Sequence, residues 1–417
     1  MSEGEGGIGQ ESQQGHAISF ILITILIDTL GFGMIAPVIP ELVSELTGEG
    51  FSEAAIYGGQ LMFLFAAVQF IAAPILGNLG DRFGRRPVLL VSLSALGLDY
   101  ILIALAPTLT WLFVGRFISA IASATFATAN AWVSDVSPPA DRARHFGFLS
   151  AAWGLGFMIG PVIGGLLGEI GPRVPFVAAA GLALVNVAYG FFVLPESLPK
   201  ESRRSFDIRR ANPIGALLQM RRFPALLGLM AVLIPYQIAH NANPAVWGYY
   251  TMHKFGWSVS DVGWSLFVVG ATIMFVNALL VGPTIARIGE KGAVFLGFSA
   301  MSVGFFIFAF ARESWVMFLG IFPFALVGVA SPALRGMMAN QVPADAQGEL
   351  QGALSSLTSL VMIGSPLLMT NLFHRYSREG ADTLFPGAPF LAAALLAILA
   401  MGLFALAPKP GTATPRS

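Results

Sequence analysis

Cysteine is absent from the 417-residue chain, which excludes disulfides, thiol chemistry and Cys-ligated metal. Charge is almost as scarce. Asp, Glu, Lys and Arg make up 11% of the residues, against roughly a quarter in a soluble domain, whose surface has to be hydrated. The few charges also cancel, 23 basic against 23 acidic, so no bulk field attracts a polyanion and nucleic acid is not an expected partner. No Gly-Lys-Ser/Thr phosphate loop, His-Glu-x-x-His zinc pair or Gly-x-Ser-x-Gly nucleophile turn occurs. An enzyme, a metal site, a bound cofactor and a self-contained ATP-driven pump are therefore not expected.

What is present is apolar: 55% hydrophobic residues, 34 of them Phe, and a mean hydropathy of +0.74. Such a chain cannot cover itself with polar groups, so most of its surface faces lipid. The Phe and Met side chains read as lipid-facing and core-filling rather than as an aromatic drug cage. Residues 1–16 are polar and Gly-rich without a basic start, and read as a free tail rather than a secretory signal. Apolar runs of membrane-crossing length, about 20 residues, follow near 17–40, 56–79, 87–106, 109–135, 144–168, 174–194, 223–247, 259–285, 292–311, 314–340, 349–372 and 386–407. The expectation is an all-α membrane protein with twelve transmembrane helices.

The one long polar stretch, 195–222, carries Lys200, Arg203, Arg204, Arg209, Arg210, Arg221 and Arg222. Its composition marks a linker between six-helix halves at 17–194 and 223–407, with a second tail at 408–417. Basic asymmetry sets the orientation. Arg82, Arg85, Arg86, Arg142, Arg144, the linker, Arg287, Lys291, Lys409 and Arg416 share the side of the N-terminus. Arg173, Lys254, Arg312, Arg375 and Arg378 fall opposite, where the first loop is acidic with Glu41, Glu45, Glu49 and Glu53. Both termini and the linker are thus expected in the cytoplasm. A constant displacement of 205 positions superposes Gly58 on Gly263, Gly77 on Gly282, Gly84 on Gly289, Gly115 on Gly320, Gly147 on Gly352, Ser150 on Ser355 and Pro161 on Pro366. The halves read as parallel repeats, a transporter architecture with its substrate site near the midplane.

Three sets of residues suggest chemistry. Between helices 2 and 3 runs Gly77-Asn-Leu-Gly-Asp81-Arg82-Phe-Gly84-Arg85-Arg86. Gly77 would permit close helix approach and Gly84 a tight turn. Asp81 can pair with a basic group or face the positive end of a neighbouring helix. A topogenic basic loop would explain the arginines but neither the glycines nor Asp81. The second copy has Ala286 in place of Asp81. In helix 5, Gly156, Gly160, Pro161, Gly164 and Gly165 give a smooth packing face and a point where a backbone donor is missing.

The third set is ionisable. Only Asp28 in helix 1 and Asp99 in helix 3 are carboxylates deep in the membrane, where a charge is costly and points to function. Asp28 falls about 16 Å into its helix, near the midplane, has no partner at that depth within its half, and is expected to take up and release a proton. Asp99 and Arg116, on antiparallel neighbours, share a depth and are expected to pair, either structurally or in coupling. Asn130, Gln237, His240, Asn241, Asn277 and Arg335 are weaker cavity-lining candidates. A lone histidine such as His240 is more often a packed side chain than a proton carrier.

The loop sequence matches the signature of the major facilitator superfamily. The helix 5 pattern resembles the superfamily's antiporter motif. Through Asp81-Arg-Phe-Gly-Arg-Arg-Pro-Val-Leu-Leu, Leu98-Asp99-Tyr100, Gly115-Arg116, Phe255-Gly-Trp257, Gly289-Glu-Lys291 and Ser331-Pro-Ala-Leu334, nearly the whole membrane part is similar to the tetracycline/proton antiporters. The resemblance implies the major facilitator fold. It also implies a substrate- and proton-handling role for Asp28, membrane-embedded charges at Asp99 and Arg116, and a gating role for Asp81. Where those exporters place a histidine in helix 8 and an aspartate in helix 9, this chain has Ile273 and Met301, neither able to carry a proton. The expected activity is export of an amphipathic small molecule, tetracyclines among the candidates, in exchange for protons by alternating access. The alternative is proton-linked or passive transport of a metabolite. A transporter-shaped receptor has little support, for want of a sizeable extramembrane domain. The expected setting is a bacterial inner membrane, the expected partners are a small-molecule substrate and lipid, and the expected state is a monomer.

Overall fold

The computed structural model describes residues 5–123, 125–206, 215, 217, 220–343 and 346–407. Tail and linker positions outside these ranges, among them Arg209, Arg210, Lys409 and Arg416, lie outside the described residues, as does the whole of the expected 408–417 tail. The elements are helical: α1 Glu5–Ile35, α2 Ile39–Thr47, α3 Phe51–Phe83, α4 Arg85–Ala104, α5 Leu109–Ala122, α6 Thr125–Val136, α7 Arg142–Gly168 and α8 Val174–Val193. The later elements are α9 Pro224–His240, α10 Ala242–Phe255, α11 Val259–Phe275, α12 Val281–Phe310, α13 Ser314–Ala325, α14 Val327–Ala339, α15 Gln347–Ser377 and α16 Ala388–Leu406.

Among the described residues, ten helical runs are long and apolar enough to cross a membrane. One of them, Val259–Phe310, holds two expected spans, divided where Gly289 turns to φ 71°. The expected span near 223–247 is broken at Asn241 into helices of 17 and 14 residues. Pro244 sits in the first turn of α10, where a missing N–H costs nothing, but it could not continue α9.

Three expectations are corrected here. The first helix starts at Glu5, so the polar segment up to residue 16 is not a free coil. The first span closes at Ile35, and Glu41 and Glu45 of the acidic loop ride on the short helix α2. The spans at 109–135 and 314–340 are each two helices, parted at Ser123 and Leu326. These breaks recur at nearly the repeat displacement, and so does the pair at Ala36 and Asn241. The loop glycines repeat as well: Gly84 has φ 107° and ψ 158°, and Gly289 has φ 71° and ψ 172°.

Two compact units emerge. The first is Met1–Leu42, Val68–Ala211 and Val259–Trp264; the second is Val43–Ala67, Asn212–Ser258 and Ser265–Ser417. In the first, α1 packs on α7 and α8, and α4 on α8 and α5. Ile21, Ile25, Leu89, Leu93, Ala129, Trp132, Val133 and Leu149 fill its core. In the second, α9 packs on α16, and α12 on α16 and α13, the same pairings one repeat later. Its core is aromatic: Tyr250, Phe305, Phe308 and Phe390 meet mostly edge to face at 4.9–6.2 Å.

Each unit includes a piece from beyond the expected halves. Val43–Ala67 is tied to the second unit where Gly58 lies under the Tyr249 ring, Gly59 under Thr370, and Ser52 Oγ stands 2.8 Å from Ser377 Oγ. Val259–Trp264 is tied to the first, where the Ser260 N–H donates to Glu169 at 3.0 Å.

Candidate functional site

The helix 5 glycines fix where α1 lies. A Cβ on Gly156 would meet Thr29 and the Leu26 carbonyl, one on Gly160 would stand 2.8 Å from the Gly33 Cα, and one on Gly164 would run into the Met34 backbone. The partner positions advance in step with the glycines, so α1 and α7 run parallel in a fixed register. Backbones this close leave no room for any side chain but hydrogen. Gly165 uses a second face of α7, against Val259 and Ser260, while the Pro161 carbonyl lies under Gly263. The motif therefore seats α1 on one side and the start of α11 on the other.

That register holds Asp28 at the depth of Gly156, next to Thr29, which lies against that glycine. Its carboxylate is half-buried and makes neither an ion pair nor a hydrogen bond among the described residues, whereas the next residue, Thr29, donates to the Ile25 carbonyl at 2.8 Å. Tyr100 is buried, with its ring edge against Gly31 and its charge environment shared by Asp28, Asp99 and Arg116. The sequence marked Tyr100 only as part of a resemblance, yet both carboxylates lie close enough for their charge to act on it.

The expected Asp99–Arg116 pair makes no direct salt bridge, yet the Arg116 charge acts on the Asp99 carboxylate and Ser119 lies beside it. Asp99 is fully buried, and neither carboxylate oxygen accepts a hydrogen bond among the described residues; Arg116 Nη2 is likewise buried without an acceptor. Instead, the carboxylate lies against Gly115, at the position a Cβ would need. Equal depth put the pair together on paper, but residues one apart on a helix point about 100° away from each other. Leu112, Gly115 and Ser119 are the buried face of α5, and the half-buried Arg116 beside it keeps its charge near Asp99 without a direct bond.

The loop motif is a bonded network in the first unit. Gly84 supplies the positive φ that ends α3 and starts α4. Asp81 pairs with Arg85 at 2.6 Å, and Arg85 with Asp135 at 3.2 Å, which also accepts from Ser197. Of the two roles open to Asp81, a basic partner is the one observed. Glu196 was missed: its carboxylate accepts from the Arg85 N–H at 2.8 Å, capping α4 from 111 residues away, and lies 3.8 Å from Arg203. Arg86 donates to the Phe191 carbonyl, and Arg82 lies over Phe83. Gly77 is exposed, and an added Cβ would meet nothing within 4 Å, so the close approach expected of it is not made. In that loop Gly80 is the buried glycine, covered by Arg85.

The weaker candidates scatter. Asn130 bonds its own helix at the Phe126 carbonyl. In the second unit Gln237 donates to Thr358 at 3.2 Å, Asn241 caps the break between α9 and α10, and His240 stacks on Phe324 at 5.9 Å as a packed side chain. Asn277 lies in a π-helical turn, Val276–Leu280, against Gly328. Arg335 is exposed, near the buried Tyr236.

The Major Facilitator Superfamily profile matches residues 21–242 and 236–417, which is nearly the whole chain and both repeats. The chain belongs to the major facilitator superfamily. Within it, the chain is 39% identical over 358 residues to the class C tetracycline resistance protein of Escherichia coli, covering 86% of this chain and 90% of that one. It is 38% identical to the class G tetracycline resistance protein of Vibrio anguillarum, covering 84% and 89%. That likeness places it in the tetracycline-resistance branch of the superfamily. The crystal structure of the nucleoside transporter NupG matches with a TM-score of 0.76 at 14% identity, over 94% of this chain and 98% of that one, which shows the shared fold. The fold is thus the twelve-helix major facilitator fold, in a multi-pass membrane protein whose relatives are transporters. At the two positions where the tetracycline-exporter resemblance calls for a proton carrier, Ile273 is half-buried and Met301 fully buried.

Proposed function

We propose that this protein exports an amphipathic small molecule in exchange for protons by alternating access, with tetracyclines the first compounds to test. The unpaired carboxylate of Asp28, locked at midplane depth by the glycine face of α7, supports this reading best. An intramembrane acid without a partner is costly unless it is used, and a group that must alternately hold a proton and a substrate has to be left free of fixed bonds. Protons serve as the coupling ion, and no further cofactor is needed. The setting is a bacterial inner membrane with both termini and the linker cytoplasmic, which the basic asymmetry of the loops supports.

The test is Asp28→Asn in proteoliposomes carrying an imposed pH gradient. The amide cannot cycle a proton, so gradient-driven flux falls to background. Wild-type gradient-driven flux in the variant would remove Asp28 from the mechanism. The non-titratable Ile273 and Met301 favour a second reading, a metabolite carrier with weaker or no proton coupling. The same vesicles separate the two: exported drug exchanges for protons taken up, whereas a symported metabolite carries protons with it.

A further inference from the structure

Three helices of the second unit bring titratable side chains together at the end that the basic asymmetry assigns to the outside. Ser52 and Glu53 lie in the first turn of α3, His253 in the last turn of α10, and His374 and Ser377 in the last turn of α15. Ser52 is buried, and its Oγ stands 2.8 Å from Ser377 Oγ and 3.4 Å from His374 Nδ1. The same His374 nitrogen is 4.0 Å from the Glu53 carboxylate. The Glu53 charge also reaches His253, whose ring meets Phe373 edge-on at 5.7 Å.

Counting protons fixes what His374 does here. A serine hydroxyl carries one proton. Ser377 donates its own to the Phe373 carbonyl at 2.7 Å, so Ser52 is the donor in the bond between the two serines. Ser52 then has only lone pairs to offer His374, and the imidazole must carry a proton on Nδ1 to bond it. A second proton enters at Nε2 and turns the ring into an imidazolium beside a carboxylate. The neutral ring keeps the Ser52 bond alone, whereas the charged ring adds attraction to Glu53. The other charges at this end do not replace it. Lys254 of α10 donates to the Tyr250 hydroxyl at 2.9 Å and lies over the Tyr250 and Phe255 rings. Glu45 and Glu49 before α3, and Arg375, Arg378 and Glu379 around the end of α15, are exposed, where solvent and salt screen them.

We propose that His374 and Glu53 form a proton-sensitive tie between α3 and α15, so that acid outside holds these helix ends together and slows their parting. The tie tightens as pH falls through the range where an imidazole titrates, about 6.5, and is lost as pH rises above it. Since α3 belongs to the first sequence half and α15 to the second, a motion that parts the repeats at this end has to break the tie. It is a brake set by the outside pH and not the coupling site, and it rests on the exporter reading only for which face is the outer one.

Spin-label distances in the purified full-length chain test it, with labels on Glu49→Cys and Arg378→Cys, the only thiols in a chain without native cysteine. In this background the ratio of tied to parted ends should be roughly two- to fivefold higher at about pH 5.5 than at about pH 8, the size of an ion pair at a half-exposed site. His374→Gln should remove most of that pH dependence and Glu53→Gln all of it, since the carboxylate also serves His253. His374→Arg, a fixed cation, should keep the ends tied at both values. Thermal melting checks that each variant is folded, and the three variants are independent, so a misfolded one leaves the others as the test. No pH dependence in the labelled background, or undiminished dependence in His374→Gln, Glu53→Gln or His374→Arg, would overturn the tie. The measurement needs neither substrate nor gradient, so a flat profile would sink the tie alone, and failed export in vesicles would sink the exporter reading alone.

Discussion

At the scale of single residues, the glycines divide by what surrounds them. Gly115 faces the Asp99 carboxylate and Ile103, and Gly164 faces the Met34 backbone, whereas Gly77 and Gly154 face open space. Overpacking a filled site forces backbone or side chains to shift, at about 1–3 kcal/mol. Gly115→Ala and Gly164→Ala should therefore lower the melting temperature of the purified protein, while Gly77→Ala and Gly154→Ala should leave it unchanged or slightly raised. Equal melting temperatures for all four would mean that α1, α4, α5 and α7 are not packed as described. The motif spelling named Gly77 as the close-packing residue. Its spelling is the same whether the glycine faces a neighbour or not, and only the packing showed that Gly80 is the covered one.

At the scale of elements, the start of α4 depends on a residue from the first stretch of the linker, Glu196. Glu196 accepts the Arg85 N–H and the Leu198 N–H, and its carboxylate occupies the space a Cβ on Gly84 would need. Free N–H groups at a helix start are satisfied at a gain of about 1 kcal/mol per cap. Glu196→Ala should cost that order of stability in chemical denaturation. Gly84→Ala should cost more, since it adds a positive-φ penalty of about 1–2 kcal/mol to the clash. A Glu196→Ala protein as stable as wild type would show that the cap is dispensable. The helix breaks were partly legible beforehand, since Pro37, Pro244 and Pro323 lie near three of them, but the break at Ser123 has no proline to announce it.

At the scale of the whole molecule, the absence of native cysteine makes a direct test of alternating access simple. Val43–Ala67, from the first sequence half, is bonded within the second unit through Ser52 and Ser377, with His374 Nδ1 3.4 Å from Ser52 Oγ and 4.0 Å from Glu53. If the transport cycle separates this segment from α15, a covalent tie there must stop it. The double substitution Ser52→Cys, Ser377→Cys should form a disulfide under mild oxidant, because the two hydroxyls already lie 2.8 Å apart. Flux should fall to background on oxidation and return with reductant. Full flux in the cross-linked protein would rule out motion between these two elements as part of the cycle.

The sequence by itself determined the solvent, the number of spans, the repeat and the superfamily, because each is written along the chain. Hydropathy is summed over consecutive residues, the displacement of 205 needs only identical positions, and the loop and antiporter motifs are contiguous. It also determined depth, which is how Asp28 was found. Tertiary structure alone decided azimuth and long-range partnership. Depth follows from counting at 1.5 Å per residue, but which way a side chain points changes by 100° at each step. Thus Asp99 and Arg116 agree in depth and lie near each other without a direct bond, while Gly115, one residue earlier, receives the carboxylate. For the same reason Trp153 and Phe157 looked like ordinary filling until the contact of Gly156, Gly160 and Gly164 with α1 fixed the rotation of α7. That rotation stacks Phe157 between Phe32 and Trp153.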